Sequence, residues 1–148
     1  MPVQPHRREV LDQSVFHLLR VTLQEHTALW SERVGTDPAM ECTKPQYAVL
    51  LAVEAHPGLD QASAAQFAGS DKATVAALLD RLEDRRLVRR EVDPLDRRRR
   101  KLYLTEQGES LLASADPVVT DVNQELLSRL SQSEQEALVI LLRKLARC

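Results

Sequence analysis

The sequence predicts a mostly α-helical protein with one small β-hairpin, and residues 69–105 carry most of this prediction. After a polar start at Ser70 and Asp71, apolar residues recur with the i, i+3, i+4, i+7 spacing of an amphipathic helix. The period then changes, because residues 87–92 suit a short strand and residues 101–104 alternate polar with apolar side chains. A turn-rich, strongly basic segment separates the two. A helix followed by a hairpin with a cationic tip is the pattern of a winged helix, here flanked by further helices on both sides.

The charge of this stretch differs from that of the rest of the chain. Residues 81–101 hold ten Lys and Arg against five Asp and Glu, a net charge of +5, whereas the whole chain has 20 against 22 and a net charge of −2. Phosphate backbones attract such a patch through the release of counterions. A solvated charged surface is the alternative, and it would be favoured for an isolated run of charges. Here the run lies on a hairpin directly after a helix with a small, polar outer face, which favours nucleic-acid binding.

Length and composition exclude several classes of protein. A chain of 148 residues suits one domain, or one domain with long helical extensions. With four Gly and few aromatic residues, the core has to be built from Leu, Val and Ala, which suits helices. The N-terminus lacks the apolar run of a secretory signal, and the longest apolar run, residues 47–53, is too short to span a bilayer. We expect a cytoplasmic protein without a membrane partner.

Nothing in the sequence indicates an enzyme or a metalloprotein. Cys42 and Cys148 form no CxxC pair and no zinc spacing, and the four histidines lack the spacing of metal ligands. The motifs of serine hydrolases, P-loop proteins, dinucleotide-binding enzymes and zinc proteases are absent. We therefore expect no catalytic residue, no cofactor and no metal site.

A short helix and a glycine turn precede the amphipathic helix, and together they predict a helix-turn-helix. Asp60 is placed to cap the short helix, and Phe67 is one of its predicted inward side chains. A longer helix comes before it. Thr43 and Gln46 form the Thr-x-x-Gln capping box that begins this longer helix.

Long helices are predicted at both ends of the chain. The first lies within residues 9–34. The helix after the hairpin begins at Thr105 and contains Pro117, where we expect a kink, and a last helix begins at Ser131 or Ser133. The apolar stripes of these end helices would be exposed in a monomer, so we expect a homodimer that is joined through them.

This order of elements resembles the MarR family of bacterial transcription regulators. The motifs that carry the resemblance are DKATV at residues 71–75, LLDRLE at 78–83, LVRR at 87–90, the Asp-x-Arg wing at 96–98 and LTEQG at 104–108. With the helix start at residues 43–47, the resemblance covers nearly the whole chain. Arg85 and Arg86 depart from the family, which usually has a small or glycine residue before the strand.

The resemblance implies a single domain over residues 1–148. Helices within residues 9–34 and 105–147 would form the dimer, and residues 43–104 would form the winged helix-turn-helix that binds DNA. Such a homodimer binds a near-palindromic operator, with recognition helices in successive major grooves and wing tips in the flanking minor grooves. It commonly represses a neighbouring gene and is released by a small effector, often an aromatic acid or a thioester.

The predicted DNA contacts lie in the first turn of the recognition helix, near its end and in the wing. They are Ser70, Asp71, Lys72, Ala73, Thr74, Arg81, Arg97, Arg98 and Arg99. Ser70 and Asp71 have a rival role as helix caps. We expect one of the three wing arginines to enter a narrow minor groove, where the negative potential is enhanced. Asp96 would repel phosphate if it were unpaired, so we interpret it as the residue that orients Arg98.

The effector site implied by the resemblance lies between the dimer helices and the winged helix. The predicted ligand-binding residues are His17, Arg20, His26 and Trp30 of the first helix. Arg20 has the chemistry to clamp a carboxylate, and Trp30 has that to stack on an aromatic ring. The alternative is that the histidines face solvent and that Trp30 belongs to the dimer core.

Two other functions stay open at this point. Cys42 precedes a predicted helix start and has Lys44 nearby, an environment that can lower the pKa of a thiol and make its oxidation a switch. A lone cysteine is more often inert. The winged helix can also be a protein-interaction module without DNA binding, although such modules usually lack a concentrated cationic wing.

Overall fold

The structure is a computed structural model, and it describes residues 10–34, 40 and 42–146. Its helices are α1 (Val15–Arg33), α2 (Lys44–Ala55), α3 (Gln61–Ala68), α4 (Lys72–Asp84), α5 (Glu106–Leu127) and α6 (Gln132–Ala146). Its strands are β1 (Leu59–Asp60), β2 (Val88–Val92) and β3 (Arg100–Leu104). The predicted fold class, mostly α with a small β wing, is confirmed. The chain divides into two compact units, Val34–Val118 and the remainder, and each is described by itself.

The wing is a three-stranded antiparallel sheet in the order β1-β3-β2. The predicted hairpin strands β2 and β3 are confirmed, but the sequence did not predict β1. In this two-residue strand Leu59 pairs with Leu102, and Asp60 pairs with Lys101. Two residues are too few to show the alternation that predicts a strand. Through its pairing with Lys101, Asp60 belongs to the wing sheet, and it also lies at the start of α3.

The predicted caps of α2 and α3 are confirmed. At α2 the backbone N–H of Gln46 donates to the Thr43 hydroxyl at 3.4 Å, and the N–H of Thr43 donates to the Gln46 side-chain oxygen at 3.0 Å. At α3 the backbone N–H of Ser63 donates to Asp60 Oδ1 at 2.8 Å. These bonds satisfy amide groups that a helix start leaves without an intrahelical partner.

One apolar core joins α2, α3, α4, α5 and the sheet. The predicted apolar face of α4 is confirmed, because Val75, Leu78, Leu79 and Leu82 are all buried. They belong to one cluster with Cys42, Val49, Leu50, Val53, Ala64, Ala65, Leu87, Val88, Leu102 and Leu112. Since α4 buries this face, its opposite face stays exposed to solvent.

Phe67 lies outside this core, and the prediction that it points inward was wrong. Its side chain is 53 % exposed, and its ring stacks on that of His56 with the centroids 5.4 Å apart. Ala64 and Ala65 form the buried face of α3. The step of about 100° per residue places Phe67 about 110° away from the middle of that face.

Two residues after the last residue of α4, Asp84, Arg86 has a left-handed backbone with a φ of 58°. Its N–H donates to the carbonyl of Glu83 at 2.8 Å, and the N–H of Leu87 donates to the carbonyl of Leu82 at 2.9 Å. These two bonds form a Schellman motif, in which glycine is the usual left-handed residue. The chain therefore keeps the backbone of a glycine cap with an arginine in its place.

The second unit contains α1, the C-terminal part of α5, and α6. Arg33, at the end of α1, pairs with Glu125 and lies 3.9 Å from Asp121. Helix α6 has no buried residue. Both α1 and α6 expose large apolar side chains, among them Phe16, Leu19, Leu23, Val139, Ile140, Leu141, Leu142 and Leu145.

The start of α6 settles a choice that the sequence left open. The N–H of Ser131 donates to the Glu134 carboxylate at 2.8 Å, and the N–H of Glu134 donates to the Ser131 hydroxyl at 3.4 Å. Ser131 is therefore the cap rather than Ser133. Pro117 lies inside α5, as predicted. The kink expected there stays a prediction.

Candidate nucleic-acid interface

Asp71 is the N-cap of α4. Its Oδ1 accepts the backbone N–H of Thr74 at 2.9 Å, and its Oδ2 accepts the hydroxyl of Thr74 at 2.7 Å. These donors, the backbone N–H first, hold the pKa of the Asp71 carboxyl below its ordinary value, because they stabilise the ionised form. Of the two roles considered for Asp71, the structure shows capping. A DNA contact in addition stays a prediction.

The first turn of α4 presents small and polar side chains. Ser70 does not take the cap position, and its hydroxyl donates to the carbonyl of Ala68 at 3.3 Å. Lys72, Ala73 and Thr74 are exposed. Because the hydroxyl of Thr74 is bound to Asp71, its methyl group is left for an apolar contact such as one with a thymine methyl. Arg81, also exposed, lies in the last turn of the helix.

The tip of the wing is held by its own backbone and by two aspartates. The N–H of Asp93 donates to the carbonyl of Arg99 at 3.1 Å, which closes the loop. The N–H of Leu95 donates to Asp93 Oδ1 at 2.9 Å, and the N–H of Arg98 donates to Asp96 Oδ1 at 3.0 Å. Side-chain bonds of this kind are Asx turns, and they limit the conformations of the loop.

The predicted pairing of Asp96 with Arg98 has a different form from the one expected. Asp96 contacts the backbone amide of Arg98 rather than its guanidinium. The carboxylate therefore shapes the loop on which Arg98 is mounted and leaves the charged end of Arg98 exposed. Orientation of Arg98 by Asp96 stays a prediction, now through the backbone.

The three wing arginines are not equivalent. Arg99 Nη2 lies 2.7 Å from Asp60 Oδ2, so this arginine is bound to the start of α3. Arg97 and Arg98 are exposed, and neither pairs with a carboxylate in the part of the chain that the structure describes. These two are therefore the wing arginines that are available to a phosphate or a minor groove.

Further cations of the basic stretch are bound within the chain. Arg90 joins β2 to α4, since its Nη2 lies 2.7 Å from Asp80 and its Nη1 lies 3.2 Å from Glu83. Lys101 Nζ lies 3.5 Å from Asp93. The count of charges in the sequence overstates the positive charge that is free, because it does not show which carboxylates fold back onto which arginines.

Arg89 shares its surroundings with an aromatic ring. Its guanidinium pairs with Glu91 and lies over the ring of Tyr103, 4.6 Å from the centroid. Among the described residues, the cations of the basic stretch that form no ion pair are Arg81, Arg85, Arg86, Arg97, Arg98 and Arg100. All six are exposed, and their positive charge adds to that of the exposed Lys72 in α4.

The predicted ligand residues do not lie on one side of α1. His17 and Arg20 are one turn apart, and His26 and Trp30 are one turn apart. His26 follows His17 by nine positions, which is about two and a half turns and places the second pair on roughly the opposite side. The rings of His26 and Trp30 are 6.2 Å apart, and Trp30 is only 7 % exposed. Within one chain, a small ligand would contact one pair or the other.

Helix α1 also borders a cleft in the second unit. Its volume is about 330 Å³, and its lining includes Glu25 and Leu29 of α1 and Arg129 after α5. None of the four predicted ligand residues lines it. The effector site thus stays a prediction that depends on the family resemblance.

Cys42 has the surroundings of a core residue. It is buried in the apolar cluster, and burial raises the pKa of its thiol to about 11, although Arg85 acts in the opposite direction. At neutral pH such a thiol is protonated and therefore a poor nucleophile. Burial and the raised pKa therefore disfavour a thiol switch at Cys42.

The described part of the chain contains no group of three His, Cys, Asp or Glu side chains placed to hold a metal ion. In these same residues, no helix combines the length and the hydrophobicity of a membrane span.

The amino-acid sequence of this chain is similar to those of known proteins. Residues 42–99 match the sequence profile described as the MarR family. The transcriptional regulator HosA of Escherichia coli O111:H- is 46 % identical over 135 residues, which are 91 % of this chain and 96 % of HosA.

Solved structures show the same likeness. The PcaV transcriptional regulator of Streptomyces coelicolor, in complex with its natural ligand, superposes with a TM-score of 0.82 at 36 % identity, over 93 % of this chain and 95 % of PcaV. BpsR of Bordetella bronchiseptica, whose DNA binding is regulated by 6-hydroxynicotinic acid, superposes with a TM-score of 0.79 at 31 % identity, over 89 % of this chain and 98 % of BpsR. The transcriptional repressor CouR, bound to a 23-mer DNA duplex, superposes with a TM-score of 0.82 at 30 % identity, over 93 % of this chain and 95 % of CouR.

Proposed function

The chain belongs to the MarR family of transcription regulators, and from this we propose that it is a homodimeric repressor that binds a near-palindromic operator and is released by a small aromatic acid or thioester. The family and the relatives are regulators rather than enzymes. A repressor of this kind acts in the bacterial cytoplasm, where it meets the chromosome.

The exposed charge of the winged helix is the observation that carries the DNA-binding proposal. Lys72, Ala73 and Thr74 are exposed at the start of α4, and Arg97 and Arg98 are exposed on a loop closed by its own hydrogen bonds. A helix start of this kind fits the major groove, and a cationic loop beside it fits a minor groove. The similar repressor CouR was solved on a DNA duplex.

The homodimer is supported by the apolar side chains of the second unit. Leu141, Leu142 and Leu145 of α6 are 57 %, 41 % and 68 % exposed, and Phe16 of α1 is 79 % exposed. Large apolar side chains exposed to this extent on two helices are uncommon on a monomer. We assign residues 9–34 and 105–147 to the dimer, and residues 43–104 to DNA binding. A two-fold dimer then explains why the operator would be near-palindromic.

The similar structures support the proposed class of effector. PcaV was solved with its natural ligand, and 6-hydroxynicotinic acid, an aromatic acid, regulates DNA binding by BpsR. In this chain Arg20 is exposed and His17 lies one turn before it, so this pair is able to meet a carboxylate. We place the acid group of the effector on Arg20 and keep His26 and Trp30 as the second candidate pair.

The test is a fluorescence-anisotropy titration with the DNA immediately upstream of the gene of this protein, at several salt concentrations. If the dimer neutralises roughly 6 to 8 phosphates, log K falls against log salt with a slope of about −5 to −7. Arg98→Ala should make the slope shallower by about 2, because a dimer loses two phosphate or groove contacts. Arg143→Ala removes an equal charge from α6 and serves as the matched control. Absence of binding, or a slope near zero, would refute DNA binding.

Effector release is tested on the same complex. Aromatic acids and their CoA thioesters are added in turn, and the anisotropy of the bound DNA is followed. A compound that releases the wild-type protein should fail to release Arg20→Ala at the same concentration. Unchanged release of that variant would show that Arg20 does not hold the effector.

A further inference from the structure

One carboxylate joins the wing to the first helix of the helix-turn-helix. Asp60 Oδ1 accepts the backbone N–H of Ser63 at 2.8 Å and so caps α3, while its Oδ2 accepts Arg99 Nη2 at 2.7 Å. The two residues are 39 positions apart in the sequence. The side chain of Asp60 is 25 % exposed, so the ion pair is partly shielded from water.

The backbone at both ends of this ion pair is also fixed. Asp60 pairs with Lys101 between β1 and β3. The carbonyl of Arg99 accepts the N–H of Asp93, and the N–H of Arg99 donates to the carbonyl of Asp96. Arg99 therefore reaches Asp60 from a closed loop rather than from a freely moving chain. The donors from Ser63 and Arg99 also hold the pKa of the Asp60 carboxyl below its ordinary value, so it is ionised at neutral pH.

We propose that Arg99 is a positioning residue rather than a DNA contact, and that its ion pair with Asp60 holds the wing in the orientation in which Arg97 or Arg98 enters the minor groove. This inference rests on the proposed DNA-binding function. It assigns different roles to three consecutive arginines that the sequence alone treats as equivalent.

The physical reason for such a residue is the cost of ordering the wing. A two-stranded hairpin is marginally stable alone, and Arg97, Arg98, Arg99 and Arg100 repel one another at its tip. A wing that is already held before binding loses less conformational freedom when it meets DNA, which favours affinity. An anchor to α3 also fixes the wing relative to the helix-turn-helix that enters the major groove.

The variant Asp60→Asn separates the two roles because they predict opposite signs. Asparagine is also a good N-cap, so α3 keeps its start, but the charge that holds Arg99 is lost. If Arg99 positions the wing, operator affinity falls by about fivefold, as expected when two partly shielded ion pairs of a dimer are lost. If Arg99 is instead a DNA contact, the variant frees a cation and removes an anion, and affinity rises.

The variant Arg99→Gln gives a second, independent readout. As a positioning residue it should lower the affinity by a similar factor and leave the slope of log K against log salt unchanged. The double variant Asp60→Asn/Arg99→Gln should then bind no more weakly than either single variant. Arg98→Gln is the matched control, and it should make the slope shallower by about 2 per dimer.

The outcomes are distinguishable. A shallower slope for Arg99→Gln, an affinity gain for Asp60→Asn, or additive losses in the double variant would each overturn the positioning role. Equal binding by wild type and both single variants would overturn it as well. Failure of the wild type to bind the operator would instead refute the proposed function. Thermal unfolding followed by circular dichroism shows whether Asp60→Asn is folded, and the slope for Arg99→Gln decides even if it is not.

Discussion

Gly108 in the first turn of α5 lies against the backbone carbonyl of Leu87, so closely that a Cβ built on Gly108 would be 2.2 Å from the Leu87 oxygen. The Leu87 residue comes directly before β2, and the same carbonyl accepts the N–H of Thr105 at 3.2 Å. The glycine of the LTEQG motif is thus explained by a close approach of backbone to backbone. It lets the long helix begin directly beside the wing.

We expect Gly108→Ala to destabilise the protein by about 2 kcal/mol, because the added methyl group forces the α5 start away from Leu87. Helix propensity alone predicts the opposite sign, since alanine is the better helix former. Unfolding in urea followed by circular dichroism measures the difference. Ser110→Ala, an exposed position in the same helix, is the control and should change stability little. A neutral or stabilising Gly108→Ala would mean that the junction yields easily.

Arg86→Gly should stabilise the protein by about 0.5 to 1 kcal/mol. The left-handed backbone at Arg86 costs a residue with a Cβ about 1 kcal/mol or more, and glycine adopts it freely, although glycine also gains entropy in the unfolded chain. Arg85→Gly is a matched control, because Arg85 has a φ of −80° and gains nothing from glycine. Its substitution should destabilise. The interpretation fails if the two variants lose stability equally in the same denaturant titration.

The fold was largely predictable because its signals are local. The capping residues Thr43 and Asp60, the apolar spacing of α4 and the change of period at the hairpin each act within a few residues of sequence. The exposure of Phe67 and the existence of β1 were not predicted, because neither depends on local signals. Whether an apolar side chain on a short helix is buried depends on the packing of the rest of the chain, and a two-residue strand exists only through its partner.

The candidate site was less predictable, since it depends on pairings between distant residues. The sequence shows that residues 97–99 are three arginines, but not that Arg99 reaches Asp60 while Arg97 and Arg98 stay exposed. It also does not show that Asp71 uses both oxygens on Thr74. Such contacts arise from the tertiary fold, and charge counting cannot separate them from free charge.

The stability contributed by Asp71 should depend on pH. Its pKa is lowered in the folded state, so its contribution is present above the unfolded-state pKa of about 3.9 and is lost as the pH falls through the lower folded value. The gap in melting temperature between wild type and Asp71→Ala should therefore be largest near pH 7 and shrink toward pH 3. Asp71→Asn keeps a cap that does not titrate and serves as the control. A gap that stays constant over this range would show that the cap does not need the charge.

Cys42 should be unreactive while the protein is folded. Burial raises the pKa of its thiol to about 11, so the thiolate that attacks alkylating agents is scarce at pH 8. In a Cys148→Ser background, where Cys42 is the remaining cysteine, iodoacetamide should label the native protein at least about tenfold more slowly than the protein unfolded in urea. Operator binding should likewise survive mild peroxide, in this background and in Cys42→Ser alike. Rapid native labelling, with binding lost to peroxide only when Cys42 is present, would restore thiol oxidation as the switch and show that the buried conformation opens in solution.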